Sequence, residues 1–198
     1  DVEKVRQWRS AQEGRAVVVT NTTFRLAPWA DVLYAMDAPW WRMHYAEANA
    51  SFPGRLLTVS TFGKRTEKLV GDFGRNSGAG ALLLAAHWGA RRIIMLGYDC
   101  EYAPDGKRHW HGDHPRGLGN CVSIGKFPAQ FSVMAHRLEG LEVINASRHS
   151  ILTLWPRMEL EKALGHSRLR AEKRKGVRAG TRAVAGTAGS GAGVHHPG

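Results

Sequence analysis

The chain has 198 residues, of which 43% are hydrophobic, and this is enough for one domain with a substantial core. No apolar stretch approaches the roughly 18 residues that a membrane-spanning helix needs, so we expect a protein without a membrane span. The two cysteines form no CxxC motif and are too few for a disulfide framework, which favours a cytoplasmic protein.

The formal net charge of +11 is concentrated at the end of the chain. Residues 166–198 carry seven lysines and arginines against one glutamate, a net +6, and end in a stretch made largely of glycine, alanine and serine. Such a composition cannot bury enough apolar surface to offset the entropy of ordering it. We therefore predict a folded nucleotide-binding domain over 1–165 and a disordered basic tail over 166–198. The tail could make weak, non-specific contacts with nucleic acid.

In chain order, short apolar runs alternate with helical segments. Apolar runs rich in β-branched residues are typical of strands that are buried on both faces. The predicted strands lie at 17–20, 31–37, 56–60, 93–96 and 141–146. The predicted helices lie at 40–48, 79–88, 127–139 and 156–164, the last with Pro156 at its first position. This order predicts an α/β fold, with a Rossmann-like, mostly parallel sheet of about five strands and helices on both faces.

Polar residues follow the predicted strands at the edge where such sheets bind ligands, the carboxyl ends of the strands. These residues are Asn21 and Thr22 after the first strand, Asp37 after the second, Asp99 after the fourth, and Asn145 and Ser147 after the fifth. The helix start Asn76-Ser77-Gly78 joins them if it lies on the same side. Backbone N–H groups at a helix start, next to a glycine, are well suited to bind phosphate. We therefore expect a nucleotide-like ligand at this edge.

A long polar loop over 101–126 contains the sequence HWHGDH. Its residues His109, His111, Asp113 and His114 match HxHxDH and resemble the metallo-β-lactamase-like hydrolases, so a zinc site is one interpretation. Those hydrolases need a further acid downstream, and no aspartate follows Asp113. We favour a glycine-hinged lid without zinc, in which one of the three histidines acts as a general base near neutral pH. A solvated polar loop with incidental histidines is the remaining interpretation.

One block of the sequence resembles the central motif of the bacterial sialyltransferases. The block consists of Asn76-Ser77-Gly78, an Ala/Leu-rich helix, the apolar run 93–96 and Gly97-Tyr98-Asp99. The same plan occurs in the 6-hydroxymethylpterin diphosphokinase-like (MptE-like) proteins. The RLAPWAD stretch at 25–31 is similar to small phage-encoded proteins of this general type. The resemblance covers roughly residues 15–164 and implies a Rossmann-like fold in a phage-encoded protein of the host cytoplasm.

The resemblance to the sialyltransferases implies a CMP-type sugar donor, a hydroxyl acceptor and chemistry that need not use a metal. In this sequence the resemblance places donor contacts at Asn21, Thr22, Asn76, Ser77, Gly78 and Ser147. Asn145, which follows the fifth strand, is a further predicted nucleotide-binding residue. The general base would be His109, His111 or His114 in the lid. Asp37 or Asp99 would bind a ribose or sugar hydroxyl, or act on the acceptor.

Three functions therefore fit these residues. The first is a transferase that uses a nucleotide-activated donor, most concretely a glycosyltransferase. The second is a pterin or nucleotide diphosphotransferase that depends on magnesium through Asp37 or Asp99. The third is a non-catalytic, nucleotide-binding phage accessory protein, which is favoured by a first-strand turn that reads T-N-T-T where the sialyltransferases have N-G-P-S.

Overall fold

Two parallel sheets form the framework of the protein. In the computed structural model, which describes residues 1–102, 106 and 124–165, the larger sheet has four parallel strands, arranged in chain order. These strands are β1 (Val18–Thr20), β2 (Val32–Tyr34), β3 (Arg55–Thr58) and β4 (Thr66–Lys68). The second sheet pairs β5 (Arg92–Met95) with β6 (Glu142–Asn145), again in parallel. The prediction of an α/β fold with a parallel sheet is therefore confirmed.

Helices separate most of the strands. The α-helices are α1 (Val2–Ser10), α2 (Ala38–Ser51), α3 (Ser77–His87) and α4 (Phe127–Ala135). The 3₁₀ helices are Asn21–Arg25, Ile124–Lys126 and His136–Leu138, and residues 160–165 are also helical. Within the described ranges, the helices are all too short or too polar to cross a membrane. The predicted tail over 166–198 lies outside the described residues.

β2 in the larger sheet is buried on both faces because successive side chains enter different hydrophobic cores. Tyr34 of β2 packs in a core that contains residues of α3 and α4, whereas the preceding Leu33 packs in a second core with Trp41 of α2. A third core joins Ile144 of β6 to α1 and to the helical residues 160–165. Helices therefore cover both faces of the framework.

The expectation of one sheet with about five strands is wrong. The sheet that contains β1 has four strands, and the predicted strands 93–96 and 141–146 form the separate β5–β6 pair. The fourth strand, β4, was not predicted because its sequence, Thr-Glu-Lys, carries no apolar signal. It lies at the edge of the sheet, where backbone pairing with β3 holds it while Glu67 and Lys68 remain exposed.

The predicted start of the last helix at Pro156 is also wrong, since the helical residues begin at 160. The chain before that point runs along β6. The N–H of Asn145 donates to the carbonyl of Pro156 at 2.9 Å, and the N–H of Met158 donates to the carbonyl of Asn145 at 3.0 Å. A helix that began at Pro156 would break this pairing, because the backbone at Pro156–Met158 is extended against the strand.

The contact between α3 and β2 depends on a glycine. A Cβ on Gly80 would lie 2.4 Å from Cε1 of Tyr34 and 2.7 Å from the carbonyl oxygen of Phe73. The absence of a side chain lets the fully buried Tyr34 ring pack directly on the helix backbone. This close approach places the beginning of α3 next to the end of β2.

We expect Gly80→Ala to lower the free energy of unfolding by about 1–3 kcal/mol, because the added methyl group meets backbone and a buried ring that cannot move aside. The measurement is urea denaturation followed by circular dichroism. Gly125→Ala is the matched control, since a Cβ at Gly125 has no heavy atom within 4 Å. Equal unfolding midpoints for the two variants would contradict the packing argument.

Candidate functional site

The segments that follow β1, β2, β5 and β6 meet the beginning of α3 on one surface, which we call the carboxyl edge. It comprises residues 21–22, 36–37, 76–78, 97–101 and 145–151. The first link between these segments joins the end of β2 to α3. There the N–H of Met36 donates to the hydroxyl oxygen of Ser77 at 3.1 Å. Ser77 is 6% exposed, so its side chain is part of the framework of the edge.

Tyr98 connects α3 to both strands of the smaller sheet. Its N–H donates to the hydroxyl oxygen of Ser147 at 2.7 Å, and its own hydroxyl donates to the carbonyl of Gly78 at 3.2 Å. Its carbonyl accepts a 2.6 Å hydrogen bond from the hydroxyl of Ser150. The start of α3 and the segments after β5 and β6 therefore form one hydrogen-bonded unit.

The buried residues Asn145 and Ser147 hold this unit in place through their side-chain hydrogen bonds. Asn145 is fully buried, its amide oxygen accepts the N–H of Ser147 at 3.0 Å, and its amide nitrogen donates to the hydroxyl of Ser150 at 2.9 Å. Ser147 is 4% exposed. From the sequence we predict that both residues bind nucleotide. In the structure their polar side-chain atoms bond to protein partners, so both residues shape the edge.

Asn76 caps α3. Its side-chain oxygen accepts the N–H of Ala79 at 2.8 Å, and its side-chain nitrogen donates to Gln130 of α4 at 2.7 Å. The following Gly78 leaves little room, since a Cβ there would lie 3.0 Å from the ring of Tyr98. The predicted helix start therefore exists, with its cap, at the carboxyl edge.

The turn after β1 holds a conformation that is uncommon for residues other than glycine. Asn21 has a φ of 50°, and its side-chain oxygen is buried without a hydrogen-bond partner within the described part of the chain. Such backbone conformations and unpaired polar atoms are often found at functional sites. The neighbouring Thr22 is 2% exposed and accepts the indole N–H of Trp40 at 3.3 Å, so its hydroxyl holds α2 in place.

Asp37 lies at the N-cap position of α2 and makes no side-chain capping bond. It is exposed, but the surrounding protein excludes enough water to raise the pKa of its carboxyl group. The buried hydroxyl of Tyr34 has no hydrogen-bond partner among the described residues. Burial, together with the charge of Asp37, raises the pKa of Tyr34 to about 12. The carboxyl group of Asp37 therefore lies at the carboxyl edge without forming a capping hydrogen bond to α2.

Asp99 is another exposed carboxyl group of the carboxyl edge. Partial burial raises its pKa, and the negative charge of Glu101 adds to this effect. The positive charges of His149 and Arg157 act in the opposite direction. Asp99 therefore lies in a cluster of mixed charge that the segments after β5 and β6 build together.

The predicted lid histidines His109, His111 and His114, together with Asp113, lie outside the described residues. Their assignment to a lid or to a metal site remains a prediction. Within residues 1–102, 106 and 124–165, no three metal-ligating side chains come together. Among the described residues, the exposed carboxyl groups of this edge, which include Asp37 and Asp99, are of the kind that could bind a magnesium ion held by a substrate phosphate.

A cleft of about 520 Å³ lies at the opposite edge of the larger sheet, where its strands begin. Its charged side chains already have partners in the protein. Arg9 pairs with Asp31, Arg55 pairs with Glu67, and Arg65 donates to backbone carbonyls. The carboxyl edge differs, because Asp37 makes no capping bond and the buried side-chain oxygen of Asn21 has no partner among the described residues. We therefore place the candidate site at the carboxyl edge.

The predicted site residues did not include Tyr98, His149 and Ser150 of this edge, nor Gln130 of α4, which bonds to Asn76. Tyr98 and His149 could have been assigned to the site from the sequence, since each closely follows a predicted buried strand. Gln130 could not, because its partner Asn76 is 54 positions away in the sequence.

No protein-family model matches the chain, and comparisons with curated proteins and with solved structures found no match. The resemblance to the sialyltransferases and to the MptE-like proteins therefore remains a prediction.

We expect Ser147→Ala to lower the free energy of unfolding by about 1–3 kcal/mol, because it leaves the N–H of Tyr98 without an acceptor in a buried position. Thermal and urea denaturation measure this loss. Ser132→Ala is the control, since the exposed hydroxyl of Ser132 bonds only within α4, to Pro128, and its removal should change stability by less than about 0.5 kcal/mol. A Ser147→Ala variant as stable as the control would contradict the supporting role of Ser147.

Proposed function

We propose that this protein is a transferase that uses a nucleotide-activated donor, most concretely a glycosyltransferase that acts on a hydroxyl acceptor. The observation that carries the proposal is the capped start of α3, which hydrogen bonds attach to the ends of β2, β5 and β6 at the carboxyl edge. A rigid helix start of this kind suits a charged phosphate group.

The first backbone N–H groups of α3 are suited to bind an anion. The first N–H groups of a helix have no acceptor within the helix. Here the N–H of Ala79 bonds to the Asn76 side chain, and the N–H of Gly80 bonds to the Asn76 carbonyl. Within the described residues, the N–H groups of Ser77 and Gly78 have no protein acceptor. These two donors, together with the helix dipole, would bind the donor phosphate.

The same donors would also assist the chemistry. When the bond between the sugar and the phosphate oxygen breaks, negative charge accumulates on the phosphate. N–H groups that are already oriented stabilise this charge without having to reorganise. Asp37 and Asp99 would bind sugar or ribose hydroxyls, because each is an exposed carboxyl group at the same edge.

A diphosphotransferase is the second candidate, and a specific observation favours it. Two exposed carboxyl groups, Asp37 and Asp99, lie on the surface where the phosphate would bind. Magnesium bound to substrate phosphates commonly takes one or two such ligands from the protein. The two candidates differ in their need for metal.

Isothermal titration calorimetry with CMP, UDP, GDP, ATP and a pterin, each in EDTA or in magnesium, tests these functions. Binding of one nucleotide in EDTA, followed by turnover of its sugar conjugate, supports the glycosyltransferase. Binding and turnover that need magnesium support the diphosphotransferase. Binding without turnover indicates an accessory protein, and the absence of binding by every compound would refute the nucleotide site.

A charge placed at the start of α3 tests the phosphate position. Asn76→Asp keeps an oxygen that can cap the helix but adds a negative charge beside the Ser77 and Gly78 N–H groups. We expect at least tenfold weaker nucleotide binding by calorimetry, about 1.4 kcal/mol, with helix stability retained.

Asn76→Ser is the matched control, because serine also caps helices but brings no charge. It should bind nucleotide nearly as well as the wild type. Equal affinities for Asn76→Asp and Asn76→Ser would place the phosphate elsewhere.

A further inference from the structure

A histidine lies at the carboxyl edge in addition to those of the predicted lid. His149 is exposed and follows β6 by four positions. The residues on either side of it are anchored, since Ser147 accepts the N–H of Tyr98, and Ser150 donates to the carbonyl of Tyr98 at 2.6 Å. His149 is therefore an accessible imidazole on a short, fixed segment.

The same hydrogen bonds bring His149 next to an acid. The N–H of Ile151 donates to the carbonyl of Asp99 at 3.0 Å, which joins the segment of His149 to the segment of Asp99. The two side chains interact electrostatically, and Glu101 and Arg157 are the other charged groups that act on Asp99. Arg157 also holds the turn itself, because it donates to the carbonyl of Arg148 at 2.6 Å.

The other histidines of the described part of the chain lie elsewhere. His44 is 6% exposed and stacks on Trp40 within α2. His87 is in the last turn of α3, ten residues from the Ser77 end and so about 15 Å away along the helix axis. His136 follows α4 and contacts the carbonyl of Val133. Among the described histidines, His149 thus combines exposure with a place at the carboxyl edge.

We propose that His149, on the segment that hydrogen bonds join to that of Asp99, is the general base of the transfer reaction. This inference rests on the proposed function. The oxygen of the acceptor hydroxyl forms a bond to the anomeric carbon of the donor sugar. The bond from that carbon to the phosphate oxygen breaks, and its electron pair leaves with the nucleotide. The proton of the hydroxyl passes to a ring nitrogen of His149, and the positive charge that develops there is stabilised by the Asp99 carboxylate.

The first test separates catalysis from binding. With the donor that binds in calorimetry, release of the nucleotide is measured for the wild type, His149→Gln, Asp99→Asn and the control His87→Gln. We expect His149→Gln to lower kcat by about 100-fold or more, since general base catalysis contributes this much, while the donor Kd stays unchanged. Asp99→Asn should lower kcat less, and His87→Gln should not lower it. A wild-type kcat for His149→Gln would overturn the assignment and return the role to the lid histidines.

The second test needs no donor. The pKa of the Asp99 carboxyl group is measured by carbon-13 NMR in the wild type, His149→Gln and His87→Gln. Because the positive charge of His149 lowers the pKa of Asp99, we expect a higher value in His149→Gln and an unchanged one in His87→Gln. Identical pKa values in the wild type and His149→Gln would overturn the pairing. Failure of every donor to bind would instead refute the proposed function.

Discussion

Tyr98 makes the hydrogen bonds on which the carboxyl edge depends. Its N–H, carbonyl and hydroxyl bond to Ser147, Ser150 and Gly78, so that one residue joins the ends of β5 and β6 to the start of α3. Each bond involves groups with little access to water, where an unpaired donor or acceptor would be costly. The geometry of the edge is therefore set by the requirement that these backbone groups be satisfied.

The edge divides its polar residues between two roles. Thr22, Ser77, Asn145 and Ser147 are buried, and their side chains bond to other parts of the protein. Asp37, Asp99 and His149 are exposed. A buried polar side chain must be satisfied by the protein, whereas an exposed one can exchange water for a ligand at little cost. The buried residues therefore fix the geometry of the edge, and the exposed carboxyl groups and imidazole are the side chains that can contact a ligand.

Most strands and helices of the domain could be predicted from the sequence, because apolar runs such as that of β2 are buried on both faces. β4 and the extended segment after Pro156 could not be predicted. β4 is stabilised by pairing with β3. The segment after Pro156 is stabilised by its bonds to Asn145. In both cases the stabilising partner is the backbone of another segment, ten or more positions earlier in the chain. The residue types within β4 or after Pro156 do not indicate that partner.

The sequence by itself determined the parallel α/β plan and the capped start of α3, since hydrophobic periodicity and capping are local properties. It also determined that polar residues follow the strands. The tertiary structure decided which of those residues are buried, because burial depends on which elements pack together. It also brought Asp99 beside His149, two residues that lie 50 positions apart in the chain. Hydrogen bonds of Tyr98 and Ile151 across the β5 and β6 ends join the two segments that carry them.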